Sequence, residues 1–249
     1  MSNEILSGQH AVLEVLRAGR RTVEELFALP DRVAEVRKIL GGRKVKMHET
    51  TPAALLRLAG TDCHQGLAAR VAPYPYVSLD QVLTKAMQGP RGGFLLLLDQ
   101  VQDPQNFGAV VRTAHCAGVH GMIVPKDHSA PITGAVCRAA AGATEHMLIA
   151  QVTNLVQAIN TLKSNNIWVV GAEGGAPQSL YEYAFDSHHA IVMGTEGKGL
   201  RRLVRESCDI LLSIPMEGAI GSYNVSAAAA MILGEVLRQR LDQKSRKTP

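Results

Sequence analysis

Short continuous apolar runs alternate with amphipathic stretches along most of the chain. From residue 93 onward, apolar runs fall at 94–98, 121–124, 147–150, 167–171, 189–193 and 210–214, each bounded by turn residues. A strand buried on both faces reads this way, so the runs predict a parallel-type sheet. Helical periodicity fills the gaps at 107–117, 132–142, 153–164, 199–207 and 224–241. Strand and helix in turn predict a doubly wound α/β domain over 93–249.

The first third has a different rhythm. A helix is predicted within 7–19, with Ala11, Val12, Val15 and Leu16 on one face and Gly19 as its stop. A strand follows within 22–29, then a helix within 31–42 that turns Val33, Val36, Ile39 and Leu40 inward. Residues 45–49 alternate like a strand, 51–60 read as a helix with Pro52 in its first turn, and 64–73 supply another strand. This predicts a small α/β domain over 1–72. Pro and Gly punctuate both ends of 73–92, which reads as a linker around a short helix at 78–87.

Composition narrows the class. The 249 residues are 46% hydrophobic and 19% charged, enough for a sizeable core and too apolar for wholesale disorder. No apolar run approaches the roughly 18–20 residues that span a bilayer. The first ten residues lack a basic segment followed by an apolar one, so a cytoplasmic protein with no membrane partner is expected. Cys63, Cys116, Cys137 and Cys208 form no CxxC pair, and no His cluster stands at ligand spacing. Reduced, mostly buried thiols and no metal are therefore expected. The basic excess sits at the front: residues 1–72 hold 11 Lys/Arg against 8 Asp/Glu, while 93–249 hold 13 of each. Arg37, Lys38, Arg43, Lys44 and Lys46 gather around one predicted helix end, as an ordinary solvated face or as a phosphate-contacting patch.

Candidate chemistry lies in three strand–loop–helix turns, since open α/β sheets bind ligands beyond the carboxyl ends of their strands. Familiar nucleotide fingerprints fail there. No GxGxxG follows the run at 94–98, GTEGKGL lacks the glycine spacing and the Ser/Thr of a phosphate loop, and no GxSxG elbow is present. What remains is NFGAVVR (106–112), MGTEGKGL (193–200) and SIPMEGAIGSYNVSAAAA (213–230). Asn106 stands at a helix start. On spacing alone Arg112 reads as a surface ion-pair residue, and Asn224 as the cap of an Ala-rich helix.

In this order and spacing the three blocks resemble the three motifs of the SpoU-type RNA ribose 2′-O-methyltransferases of the SPOUT superfamily. The likeness covers essentially all of 93–240, and GQHAV and HQGLAARV resemble the ribosomal-protein-like RNA-binding domain of many members. The resemblance implies a SPOUT-type parallel sheet with a C-terminal trefoil knot. It implies S-adenosylmethionine as cofactor, held by Gly194, Thr195, Gly197, Ile214, Met216 and Tyr223. It implies catalytic roles for Arg112, Asn106, Glu196, Ser222 and Asn224. It implies a homodimer through the knot, and the full-chain likeness is closest to members that modify a guanosine in the peptidyl-transferase region of 23S rRNA. The third motif usually has Leu where this chain has Tyr223. Two other readings share the pattern: a tRNA ribose methyltransferase of the same fold, and a non-catalytic RNA-binding or ribosome-assembly factor.

Overall fold

A computed structural model describes residues 3–195, 197 and 199–246. The N-terminal part runs β1 (Glu4–Ser7), α1 (Gln9–Ala18), β2 (Val23–Ala28), α2 (Val33–Leu40), β3 (Lys46–Glu49), α3 (Pro52–Ala59) and β4 (Leu67–Val71). Its sheet has the order β1-β4-β2-β3, with β2 and β3 parallel and β4 antiparallel to both β1 and β2. The hydrophobic pattern missed β1, whose four residues are too few to show alternation. Gly19 and Gly41 end α1 and α2 in the left-handed region, at φ 63° and 56°, where a side chain would be strained.

The chain continues through α4 (Leu79–Met87), β5 (Phe94–Leu98), α5 (Pro104–Cys116), β6 (Gly121–Pro125), α6 (Gly134–Ala139), β7 (Ile149–Val152) and α7 (Leu155–Ser164). It ends with β8 (Trp168–Ala172), β9 (Gln178–Ser179), β10 (His189–Met193), α8 (Arg202–Ser207), β11 (Ile210–Ser213) and α9 (Val225–Arg246). These strands form one sheet in the order β7-β6-β5-β10-β8-β11-β9, and every described pair is parallel. β5, β6 and β10 are buried at every residue, which is why they read as unbroken apolar runs. β9 is a polar pair with no apolar signal, and the pattern missed it.

The chain forms two compact units. The first holds the residues up to Pro75 together with 107–112 and 131–146; the second holds the rest. The short helix expected in 73–92 is α4. Its Val82, Leu83 and Ala86 are buried in the second unit's core with Leu95, Ile123 and Ile159.

Within the first unit, 131–146 is tied in by charge as well as by packing. The fully buried Arg21 guanidinium donates to Glu145 Oε1 (3.3 Å), to Glu4 Oε2 (2.7 Å) and twice to the Ala72 carbonyl. Burial pushes the Glu145 carboxyl upward, against the pull of Arg21. Arg138 donates to the Ser7 hydroxyl at 2.7 Å, and His146 pairs with Glu14 at 2.8 Å. A Cβ on Gly134 would lie 2.3 Å from the Ile5 carbonyl oxygen, so this approach admits only glycine.

Within the second unit, Arg240 of α9 is buried at the opening of β5. It donates to the carbonyls of Gly92 (3.3 Å) and Gly93 (2.9 Å), and its guanidinium lies 4.6 Å from the centre of the Phe94 ring. Burial, with Arg91 nearby, lowers this guanidinium to about 10. His120 Nδ1 accepts from the Phe94 N–H at 3.0 Å, and His189 lies 3.1 Å from both the Tyr183 hydroxyl and the Ser187 carbonyl. Burial holds both imidazoles below their ordinary value. Groups depressed on folding take up protons more readily in the unfolded chain. Stability is therefore intact above about pH 6.5 and falls as the pH drops through the lowered values. Urea midpoints should decline between pH 7.5 and 5.5 in the wild type, and less steeply in a His120→Asn/His189→Asn double variant. Equal slopes in the two proteins would show that these rings do not carry the effect.

Candidate active site

The carboxyl ends of β5, β10, β8 and β11 lie side by side in that order. Asp99, directly after β5, is 1% exposed. Its N–H donates to the Met193 carbonyl at 2.7 Å, Oδ2 accepts the Arg201 N–H at 3.0 Å, and Oδ1 accepts from Arg201 Nε at 2.7 Å. Charge-assisted bonds of this kind are short and directional. Asp99 thus joins the end of β10 through its N–H, and the residue that opens α8 through its carboxylate, to the end of β5.

The 194–200 loop is pinched at its neck. Thr195 and Gly199 exchange backbone hydrogen bonds of 3.2 and 3.0 Å. A Cβ on Gly194 would lie 2.1 Å from the Gly199 carbonyl oxygen, so only glycine fits. Across from it, the Ser213 hydroxyl contacts the carbonyls of Ala176 (2.9 Å) and Gln178 (3.3 Å), which holds the 173–178 segment against the end of β11. The Tyr223 hydroxyl donates to the Pro215 carbonyl at 3.4 Å and draws the 215–223 loop together. The aromatic side chain at this position therefore adds a loop contact that Leu could not make.

These loops enclose a pocket of about 250 Å³. Gly194, Thr195, Gly197, Ile214, Met216 and Tyr223 all line it, and so does Ser222. Glu196 lies outside the described residues. Asn224 donates from Nδ2 to Asn106 Oδ1 at 3.0 Å, while its own Oδ1 accepts from the N–H groups of Ser226 (2.9 Å) and Ala227 (3.4 Å). Asn224 is thus both the cap of α9 and the partner of Asn106. Asp103, rather than Asn106, caps α5: its Oδ1 accepts the Asn106 N–H at 2.7 Å. Arg112 is exposed on the same helix, in the stretch that belongs to the first unit.

Two residues of this region escaped the sequence reading: Asp99, and Glu173, which also lines the pocket. Each is an acid following an apolar run directly, at the sheet end where such folds bind ligands, and that position was the available signal. Two of the cysteines, Cys137 and Cys208, offer no alternative nucleophile. Burial pushes Cys137 up to about 11 and Cys208 up to about 12, so both stay protonated near neutrality. Cys63 and Cys116 are exposed, against the expectation of mostly buried thiols. Among the described residues no group of three or more His, Cys, Asp or Glu could hold a metal ion, and no helix is long and apolar enough to cross a membrane.

Comparison with known proteins fits this geometry. The profile of the SpoU rRNA Methylase family matches residues 93–234, and that of the RNA 2′-O ribose methyltransferase substrate binding domain matches residues 5–77. The chain is 42% identical, over 97% of its length and 99% of the relative's, to the 23S rRNA (guanosine-2′-O-)-methyltransferase RlmB of Vibrio cholerae. It is 36% identical, over 97% and 98%, to a Staphylococcus aureus protein assigned to the TrmH family of tRNA/rRNA methyltransferases. Among solved structures, the SpoU methyltransferase AviRb of Streptomyces viridochromogenes, in complex with AdoMet, superposes with a TM-score of 0.82 at 23% identity, over 97% and 92% of the two chains. The chain belongs to the SpoU rRNA methylase family. Its parallel α/β sheet is the fold of those structures.

The double duty of Asn224 can be separated. Asn224→Asp keeps the cap oxygen and removes the donor to Asn106; Asn224→Ala removes both. The Ala variant should lose about 1 kcal/mol of stability in urea titrations and the Asp variant much less. Equal losses would mean that the cap is not what Asn224 contributes to α9.

Proposed function

We propose that this chain transfers the methyl group of S-adenosylmethionine to the ribose 2′-hydroxyl of a guanosine in 23S rRNA, in the cytoplasm. The observation that carries this is a pocket lined by the second and third motifs, with the first tied to the third through Asn106 and Asn224, in a chain 42% identical to a 23S rRNA guanosine methyltransferase. The pocket suits that cofactor. Glycine backbone at 194, 197 and 199 allows close approach, and half-buried Ile214, Met216 and Tyr223 offer an apolar bed for a purine, with carbonyl and N–H groups at its edge. When bound, the cofactor supplies an electrophilic sulfonium methyl, and no metal is required.

The protein's own task is to aim the 2′-hydroxyl and assist loss of its proton. In the transfer the oxygen gains the methyl, the thioether leaves, and the hydroxyl proton departs. Arg112 presents a planar fork of N–H donors. It holds the target phosphate and stabilises developing charge on the oxygen, and a phosphate oxygen is the nearest base such a substrate brings. The Asn106–Asn224 pair and Ser222 orient the reacting end, and the family likeness gives Glu196 a part in the same step.

Two features of the family belong to the same reading. β11 lies between β8 and β9, so the 173–177 connection passes around it, and this supports a trefoil knot. Arg112 follows Asn106 by six residues, about 240° around the helix axis, so the two side chains leave α5 on different faces. A homodimer in which one protomer supplies Arg112 to its partner's pocket accommodates that separation. Residues up to Pro75 take the RNA, with exposed Arg37, Lys38, Arg43 and Lys44 as phosphate contacts. The name of the Staphylococcus relative includes tRNA, which is the second reading of the substrate.

Labelled methyl transfer to separate transcripts of 23S rRNA, 16S rRNA and a tRNA pool tests the assignment. Label should enter a 23S fragment as an alkali-resistant dinucleotide, and Arg112→Ala should lower the rate on the order of 10²–10³-fold. Label in tRNA alone would replace the substrate and keep the chemistry. For the dimer, Arg112→Ala and Asn224→Asp proteins, each inactive, should recover activity when mixed and allowed to exchange. A monomer in sedimentation at micromolar concentration, or no recovery, would remove the shared site.

A further inference from the structure

Glu173 is an acid in the pocket wall with part of its bonding capacity unused. It follows β8 directly, and its N–H donates to the Leu212 carbonyl at 3.0 Å, which levels it with the end of β11. Carboxylate oxygen Oε1 lies 3.6 Å from the Nε of Arg205, whose side chain is 52% exposed. Oxygen Oε2 is buried and has no hydrogen-bond partner among the described residues. A buried carboxylate oxygen without a donor costs free energy unless a ligand supplies one. Both Glu173 and Gly199 line the pocket, and Oε2 lies 3.2 Å from where a Cβ on Gly199 would be. The carboxylate therefore takes the space that a side chain at 199 would fill.

The sheet order, together with the purine's place, decides which part of the cofactor reaches it. Across the sheet, the strand ends carry Gly194 after β10, Glu173 after β8 and Ile214 after β11, and α5, which follows β5, carries Asn106. Neighbouring strands are about 4.8 Å apart. If the purine lies on the Ile214–Met216–Tyr223 side and the reacting end points toward Asn106, the sugar falls between them. That is one strand spacing from the purine, over the end of β8. We infer that the Glu173 carboxylate accepts hydrogen bonds from the 2′,3′-diol of the cofactor's ribose. This rests on the reading of the pocket as an S-adenosylmethionine site. A carboxylate facing a cis-diol also selects a ribonucleoside over its deoxy counterpart, as acids do in other nucleotide pockets.

Calorimetric binding of S-adenosylhomocysteine, 5′-methylthioadenosine and 2′-deoxy-5′-methylthioadenosine tests this without turnover. The wild type should bind the ribo compound roughly 10- to 100-fold more tightly than the deoxy compound, as a hydrogen bond to a charged group predicts. Glu173→Ala should erase that preference, Glu173→Gln should keep part of it, and Arg205→Ala should leave it whole. A preference that survives in Glu173→Ala overturns the inference. So does a preference lost in Arg205→Ala, which would make Glu173 an ion-pair residue of the loop. Wild-type protein that binds S-adenosylhomocysteine yet ignores the 2′-hydroxyl refutes the diol contact alone. Wild-type protein that binds none of the three refutes the cofactor reading itself.

Discussion

The active end of the sheet depends on one buried carboxylate. Asp99 has no solvent to satisfy it, and it takes the main-chain N–H and the guanidinium of Arg201. Its own N–H holds the last residue of β10. With those three points fixed, the seven residues between Met193 and Arg201 must close over a short span. The close approach of Gly194 to Gly199 follows from that closure. Replacing the acid would leave a buried cation-facing cavity and an unanchored loop, so the pocket's shape is set from beneath rather than by the residues that line it.

Much of this was legible in the sequence. Fully buried parallel strands such as Phe94–Leu98 and His189–Met193 announce themselves as uninterrupted apolar runs, because both faces need covering. The loop residues were found through the order and spacing of three blocks, since the order of strands in the sheet has no trace in local periodicity. Gly194, Ile214 and Tyr223 look unremarkable singly; only the topology brings them to one pocket. Asp99 and Glu173 were passed over because a single acid after a strand is also an ordinary turn residue. β1 and β9 were passed over because four and two residues carry no period. Asn106 read as a helix-start residue; its cap role belongs to Asp103, three positions earlier, which leaves the Asn106 carbonyl oxygen for Asn224.

The division into units also departs from any simple cut along the chain. Residues 131–146 lie between β6 and β7 in sequence, yet they pack with the N-terminal segment, Arg138 on Ser7 of β1, His146 on Glu14 of α1 and Glu145 on Arg21. A crossover of one sheet has become part of another unit's core. Local hydrophobicity reports how an element is buried and not against which partner. The fully buried Arg21 is the extreme case, since an arginine beside a predicted strand reads as surface.

The place of β11 between β8 and β9 also sets a timetable. Among the described residues β9 has only β11 as a neighbour in the sheet, so the first of these two strands to be synthesised waits for the second. As the chain emerges from a ribosome, residues up to 207 can assemble β5, β6, β7, β8 and β10 without it. The 173–177 connection lacks this anchor until Ser213 arrives, and Ser213 then fastens it through its hydroxyl. The site is therefore among the last parts of the molecule to exist, and a chain released early would have a sheet but no pocket.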